Sequence, residues 1–327
     1  MPLTRALGAL ILLLSILLAH PSALAQTTPP SPHTDVTVGM YVVQLDDPSL
    51  KDRQFTAVFW LWFRWKGDKD LNPLKKFEVV GGQVEGLENE ETVVGGEGGV
   101  HYQCAKVRAR ITQEFDVTRF PIDDHTLEIS VEETSDGIEV IRYVPDARNS
   151  KLQESIALAG WRIGTTAAVV ATHNYASTFG DPAQPEDGKS SYARFTLQVP
   201  VDRPGIGYPI KMFWSLYLSV FVAILAFNIK PIDLDPRFGL GVGAVFAAMA
   251  SAYVISSSLP DGNQVTLADK VVMIAIGFIV TSIIQSIISL RLFQAGKEAA
   301  CARLDRLSFF VFTLAYAGIN VWLLRAA

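Results

Sequence analysis

The chain has 327 residues, of which 49% are hydrophobic and 19% are charged, and its formal net charge is −5. The mean hydropathy is +0.26, which is unusual for a soluble domain with this much charge and indicates that apolar and charged residues are segregated along the chain. The apolar content excludes an intrinsically disordered chain. The sequence has no basic patch that would neutralise phosphates, so nucleic acid is not an expected partner.

The first 25 residues predict a signal for export. Arg5 precedes an apolar run over residues 6–19, and the small-residue pattern Ala23-Leu24-Ala25 follows. This order is typical of a secretory signal peptide that is cleaved after Ala25. The alternative is a membrane anchor, for which the run is short because a span needs ~20 apolar residues.

Residues 26–203 form the acidic part of the chain, with 18 Lys and Arg against 27 Asp and Glu, a net charge of −9. After a Pro-rich lead-in over residues 27–32, short segments alternate apolar and polar residues with the period of two that is typical of β-strands. Their spacing predicts a β-sandwich, with residues 81–99 as a solvated loop. The predicted strands are residues 36–43, 54–65, 105–112, 127–132, 137–143, 161–173 and 191–199.

Residues 204–327 form the apolar part, with 9 Lys and Arg against 6 Asp and Glu, a net charge of +3. Apolar runs over residues 209–229, 239–259, 271–292 and 307–324 predict four membrane spans. The last linker carries Lys297, Arg303 and Arg306, and the positive-inside rule assigns it to the cytoplasm. The N-terminal domain and the C-terminus are then periplasmic or extracellular, as the signal peptide also predicts, and the expected location is the inner membrane.

The second span is rich in small residues, and helical spacing places seven of its positions on one stripe. One interpretation is a helix that packs closely within a bundle. The other is a pore lining, in which a ring of carboxylates selects cations and an apolar ring forms a barrier. The first residue of the stripe also fits a helix N-cap before proline, a role compatible with both interpretations. The stripe consists of Asp235, Gly239, Gly243, Phe246, Ala250, Tyr253 and Ser257.

Residues 120–125 have the sequence Phe-Pro-Ile-Asp-Asp-His, which resembles the Phe-Pro-Phe-Asp signature of the pentameric ligand-gated ion channels, the Cys-loop receptor superfamily. Residues 59–65 look like the second strand of that family. Arg203-Pro204 looks like the joint between sandwich and first span, and Leu259-Pro260 looks like the end of the pore helix. The resemblance covers the chain from about residue 36 to residue 324.

The sequence departs from the family pattern in two ways that resemble the prokaryotic branch of the family. The two cysteines of the signature loop would fall at Gln113 and Leu127, so that disulfide is absent, and the long insertion between the last two spans is missing. The resemblance implies a homopentameric ring. Each subunit would be an all-β extracellular sandwich of immunoglobulin-like type (residues 26–203) followed by an all-α four-helix transmembrane domain (residues 204–327).

The resemblance also implies an agonist site between subunits, beneath a loop that starts near His173. An aromatic box with a carboxylate would suit an amine cation, and a proton is the other agonist considered. The alternative for these aromatic side chains is ordinary sheet packing, with Glu132 on a solvated face. The candidate agonist-binding residues are Glu132, Thr134, Phe179 and Tyr192, with Trp60 from the neighbouring subunit.

Coupling between the domains is expected where the sandwich tips meet the outer ends of the spans. The sequence predicts an ion pair between Arg203 and an acidic loop residue, with Asp124 and Asp47 as the partners to test. His125 is a candidate for pH-sensitive gating because its unperturbed pKa is ~6.5, with His101 and His173 as alternatives. The coupling candidates are Asp47, Phe120, Pro121, Asp124, Arg203 and Pro260.

The function implied by the resemblance is a ligand-gated ion channel that conducts monovalent cations across the lipid bilayer. The Asp235 ring would favour cations, and Phe246, with Tyr253 as the alternative, would form the closed barrier. No cofactor, metal site or catalytic constellation is expected, so the chain is not predicted to be an enzyme. An alternative of another class is a membrane-anchored periplasmic sensor that signals by partner contact without conducting ions.

Overall fold

The computed structural model describes residues 33–181, 188–262 and 264–326. The predicted signal peptide and the Pro-rich lead-in lie outside the described residues. The described chain begins with β-strands and ends with long helices. It therefore has the predicted order of a β-sandwich domain followed by helices that are able to cross a membrane.

The strands follow the segments in which apolar and polar residues alternate. Residues 73–75 and 97–99 add single 3-10 turns. The strands are β1 Thr34–Leu45, β2 Gln54–Lys66, β3 Phe77–Val79, β4 Gly82–Val93, β5 Val100–Thr112, β6 Asp124–Glu133, β7 Ile141–Pro145, β8 Lys151–Leu152, β9 Arg162–Ile163, β10 Ala167–Tyr175 and β11 Ser190–Asp202.

The strands form two sheets that enclose one apolar core. The first sheet has the order β4-β5-β2-β1-β7, with β8 also paired to β1, and the second has the order β10-β11-β6-β3, with β9 paired to β11. Strand β2 lies between β1 and β5, and its predicted apolar face is the buried one. That face consists of Phe55, Ala57, Phe59, Leu61, Phe63 and Trp65.

Two predictions about the sandwich are wrong in detail. Residues 81–99, predicted to be a solvated loop, contain β4, an edge strand that pairs only with β5 and exposes nearly all its side chains. Such a strand shows no alternation because neither face is buried. The predicted strand 161–173 is split into β9 and β10, and the Gly164 N–H between them donates to the Pro200 carbonyl at 2.8 Å.

In the described part of the chain, four helices are long and apolar enough to span a membrane. Helix α2 packs on α1 and α3, and α4 packs mainly on α3. The fourth helix is longer than the predicted span 307–324, because its first turns bury Cys301 and Asp305 against the other helices. The helices are α1 Gly207–Leu225, continued by a 3-10 turn at Ala226–Asn228, α2 Leu234–Ser256, α3 Leu267–Gln294 and α4 Glu298–Ala326.

Candidate functional site: a sandwich cavity, a domain junction and an exposed helix face

A cavity of about 620 Å³ lies between the segment that follows β6 and the ends of the loop that joins β10 to β11. Of the predicted agonist-binding residues, Phe179 and Tyr192 line it, together with Glu139 and Lys189. Thr134 lies beside the cavity wall, and its hydroxyl donates to the Lys76 carbonyl at 2.9 Å. The cavity is polar at its rim and aromatic on one side, which suits a small polar molecule.

Tyr175 packs against the two aromatic side chains that line the cavity. Its ring packs edge-on against Phe179 at 5.2 Å, Tyr192 at 6.0 Å and His173 at 4.5 Å between centroids. Phe179 is 66% exposed and has a φ of +54°, a conformation that a non-glycine residue adopts rarely and that is common at functional loops. The sequence prediction missed Tyr175, which ends the observed strand β10 and lies two residues beyond the predicted strand 161–173.

Glu132 lies beneath this aromatic group. It is buried, its Oε1 accepts a hydrogen bond from the Tyr175 hydroxyl at 2.7 Å, and its Oε2 forms an ion pair with Arg194 Nε at 2.6 Å. Burial and the bond to Glu132 together raise the pKa of Tyr175. Arg194 already neutralises the carboxylate of Glu132. Glu132 therefore does not offer the free carboxylate that was expected to bind an amine.

Trp60 lies apart from this cavity within the chain. It is half-buried on β2 in the other sheet, where it pairs across the strands with Tyr41 and Lys106. Its side of β2 is the outer side, opposite the core face. The position of Trp60 is therefore compatible only with a site completed by a second copy of the chain.

Glu133 is a buried carboxyl that the sequence prediction missed. It continues the inward alternation of Leu127, Ile129 and Val131 and is 1% exposed. Its Oε1 accepts long hydrogen bonds from the Ser135 and Asp136 N–H groups, whereas Oε2 has no partner among the described residues. Burial raises the pKa of Glu133 to about 7, although these two hydrogen bonds oppose the shift.

The junction between the domains is organised by Asp123. Its carboxylate is buried, with Oδ1 bonded to Arg203 Nε at 2.9 Å and Oδ2 to His125 Nε2 at 2.6 Å. Burial acts to raise the pKa of Asp123, but the bond to His125 and the charge of Arg203 outweigh it, so the pKa lies below its ordinary value. The expected ion pair of Arg203 therefore forms with Asp123.

The two predicted partners of Arg203 bind elsewhere. Asp124 points outward, because neighbouring strand residues face opposite sides, and it accepts from Arg119 Nη1 at 2.7 Å. Asp47 accepts from the Ala159 N–H at 2.9 Å. Asp124 and Asp47, the two acidic residues named as partners to test, therefore do not pair with Arg203.

Aromatic rings enclose the charge of Arg203. Its guanidinium carbon lies 4.0 Å from the centroid of Trp161, 4.1 Å from Tyr208 and 5.6 Å from Phe120. Tyr208 belongs to α1, so these contacts cross from the sandwich to the membrane domain. Such cation–π contacts contribute about 0.5–2 kcal/mol each, which makes this cluster a firm connection between the domains.

Backbone hydrogen bonds add a second connection. The N–H groups of Leu267 and Ala268, at the start of α3, donate to the carbonyls of Thr118 at 2.9 Å and Phe120 at 3.1 Å. Pro121 is buried beside Phe120. The loop that includes Thr118 and Phe120 therefore caps the N-terminal end of α3.

The Gln113 side chain links the two ends of the loop at the positions where a disulfide was expected from the family pattern. Its amide nitrogen donates to the Thr126 carbonyl at 2.6 Å, and its amide oxygen accepts from the Glu128 N–H at 3.0 Å. These bonds flank Leu127, the other expected cysteine position. The base of the loop is therefore closed by hydrogen bonds.

Close to this loop, a cavity of about 360 Å³ separates the sandwich from the end of α2. Its wall includes Pro260, a predicted coupling residue, and Arg53, whose Nη2 donates to the Asp261 carbonyl at 3.3 Å. Arg53 also forms an ion pair with Glu114 at 2.8 Å. A contact between the turn that precedes β2 and the segment after α2 is thus present, although the sequence prediction did not include it.

Helix α2 has one buried and one exposed face. An added Cβ on Gly241 would overlap Ile283 of α3, so part of the small-residue content serves close packing. Every residue of the predicted stripe is exposed in the single chain, including Phe246 at 69% and Tyr253 at 76%. The buried face consists of Arg237, Gly241, Ala244, Ala248, Ser251 and Ile255.

The described residues contain no group of three or more His, Cys, Asp and Glu side chains that is able to hold a metal ion. Cys104 and Cys301 are both buried and free. The site therefore consists of a cavity, a junction and an open helix face.

No family model matches the chain. It is 22% identical over 317 residues to a proton-gated ion channel of Gloeobacter violaceus, a match that covers 90% of this chain and 84% of the relative. Ion channels are not enzymes, which agrees with the sequence prediction. The order of a β-sandwich and four apolar helices, combined with this similarity, confirms the resemblance to the pentameric ligand-gated ion channels.

Proposed function

We propose that the chain is the subunit of a ligand-gated cation channel, in which five copies surround α2. The observation that carries the proposal is the stripe of α2. A helix that packs its opposite face on α1 and α3 leaves a row of small, aromatic and acidic side chains open along its whole length. A fivefold arrangement would turn that row into rings around an aqueous path.

Cation selectivity follows from charge at two levels. Asp235 is exposed in the first turn of α2, and its repetition would form a carboxylate ring at the inner end of the pore. The sandwich, with its net charge of −9, would enrich cations near the outer vestibule. In the proposed orientation, the sandwich and the C-terminus lie on the outer side of the inner membrane.

We infer that the proton is an agonist of this channel. The relative is proton-gated, and Glu133 is a buried carboxyl whose pKa of about 7 lies in the range of ordinary pH changes. The groups that face it are the Lys76–Asp136 ion pair, Tyr143 and the neighbouring Glu132. Its hydrogen bonds hold the Ser135 and Asp136 N–H groups at the edge of the 620 Å³ cavity, so protonation would loosen that edge.

Purified full-length protein in a planar bilayer is expected to give unitary currents that increase on acidification. We expect currents because the rings of α2 side chains would surround an aqueous path. The measurement is single-channel recording under a cation gradient. Silent bilayers at every pH between about 4 and 8, a range that includes the expected titration of Glu133, would reject the channel and favour the non-conducting sensor.

Replacing Asp235 by Asn should lower the cation-to-anion permeability ratio by about fivefold or more, since a charge ~4 Å from a passing ion contributes about 1 kcal/mol in water. The ratio is obtained from the reversal potential in a salt gradient. Asp233→Asn is the matched control, because Asp233 is an exposed acid two residues away that is outside the stripe. Equal ratios in the two variants would remove the selectivity assignment.

Phe246→Ala should increase the current in the resting state at neutral pH several-fold, because the ring of Phe246 side chains is the proposed apolar barrier. The measurement is the open probability of single channels. Met249→Ala is the control, since Met249 is also exposed on α2 but lies off the stripe. A normally closed Phe246→Ala channel would shift the assignment to Tyr253.

Glu133→Gln should flatten the pH dependence of opening between about pH 5 and pH 8, because the variant keeps the neutral form that the wild type gains only below about 7. Because its pKa is raised, Glu133 costs the folded state no stability at pH values below its ordinary pKa. The cost appears as the pH rises from there through about 7, where the buried carboxyl loses its proton. The variant should therefore unfold at a higher temperature than wild type at about pH 8, with a smaller difference at about pH 5.

The control is Glu128→Gln, an exposed carboxylate on the same strand. An unchanged pH response of opening in Glu133→Gln would exclude Glu133 as the proton sensor.

A further inference from the structure

A buried polar network joins the inner end of α2 to α3 and α4. Arg237, the fourth residue of α2, is 1% exposed. Its Nη2 donates to Asp305 Oδ1 at 2.8 Å and its Nη1 to Asp305 Oδ2 at 3.0 Å. Nη1 also donates to the Ile229 carbonyl at 2.8 Å. This two-pronged geometry is the arrangement that an arginine forms with a carboxylate and that a lysine does not reproduce.

Two side chains of α3 complete the coordination of Asp305. Gln285 Nε2 donates to Oδ1 at 2.9 Å, and the Ser289 hydroxyl donates to Oδ2 at 2.8 Å. The Asp305 carboxylate thus accepts four hydrogen bonds from nitrogen and oxygen donors, two from α2 and two from α3, and its Oδ2 accepts a longer one from the Cys301 thiol at 3.9 Å. A buried charge requires such a set of partners, because a buried charge without them is strongly destabilising.

Stability alone does not account for this network. A buried ion pair often gives no more stability than apolar residues of similar size, and ionisable side chains within membrane segments are costly and usually serve function. Arg237 lies in the same helical turn as Asp235, with Pro236 between them. Because proline restricts the backbone there, a shift of the Arg237 side chain would also shift the exposed Asp235 carboxylate.

We propose that the Arg237–Asp305 ion pair positions the Asp235 ring, so that α4 sets the geometry of the inner pore entrance. This inference rests on the proposed channel function. Helix α4 has the smallest buried share of the four apolar helices in the described part of the single chain. Arg237 is a positioning residue, and Asp305, Gln285 and Ser289 hold it in place.

The test uses mild variants of the full-length protein in planar bilayers. Ser289→Ala removes one hydrogen bond to Asp305 and keeps its charge, and Arg237→Lys keeps the positive charge and loses the two-pronged contact. Ser282→Ala is the matched control, because Ser282 is equally buried on α3 and donates only to the Ile279 carbonyl. Single-channel recording counts only assembled channels, so a loss of folded protein does not alter the result.

We expect Ser289→Ala and Arg237→Lys to lower the cation-to-anion permeability ratio by about two- to threefold and to reduce the unitary conductance, whereas Ser282→Ala should match wild type. In an Asp235→Asn background the effect of Ser289→Ala on the ratio should vanish, because the network acts through Asp235. Wild-type values in both network variants, or effects that add to those of Asp235→Asn, would overturn the positioning role. A silent wild type would instead reject the channel function itself.

Discussion

One buried carboxylate, that of Asp123, organises the charged cluster that connects the two domains. Asp123 accepts hydrogen bonds from Arg203 and His125, and Arg203 stacks on Tyr208 of the first helix. A buried carboxylate that lost Arg203 would be left with an uncompensated charge, which costs about 3–5 kcal/mol. The loop, the end of β11 and the start of α1 therefore move together, because each movement that separates them must break this ion pair.

Two of the buried carboxyl groups in the described residues, those of Asp305 and Glu133, differ in their partners. Asp305 has hydrogen-bond donors on both oxygens, so its charge is fixed in place and organises helices. Glu133 has only long bonds to one oxygen and none to the other among the described residues, so its charge is only weakly compensated. The same physical cost of burial thus produces a structural anchor in one case and a titrating group in the other.

Much of the fold was predictable because its signals are local. The alternation in β2 and the stripe of α2 need only the period of a strand or helix, and both agree with the observed burial. The same alternation would have identified Glu133, which lies two residues after Val131 and faces the same side of the strand. The pairing of Arg237 with Asp305 was not predictable, because it joins residues 68 positions apart through tertiary packing. The edge strand β4 was missed because neither of its faces is buried.

Several exposed surfaces of the single chain fit the proposed assembly of five copies. Trp60 lies on the outer side of the first sheet, and the cavity that Phe179 and Tyr192 line belongs to the other sheet. Phe246 and Tyr253 project from a helix whose opposite face is packed. Large aromatic side chains that stand exposed along one face typically mark an interface, a ligand site or a path. The residues proposed to bind and the residues proposed to conduct therefore lie on faces that a single chain leaves open, so the proposed function requires the assembly of several copies.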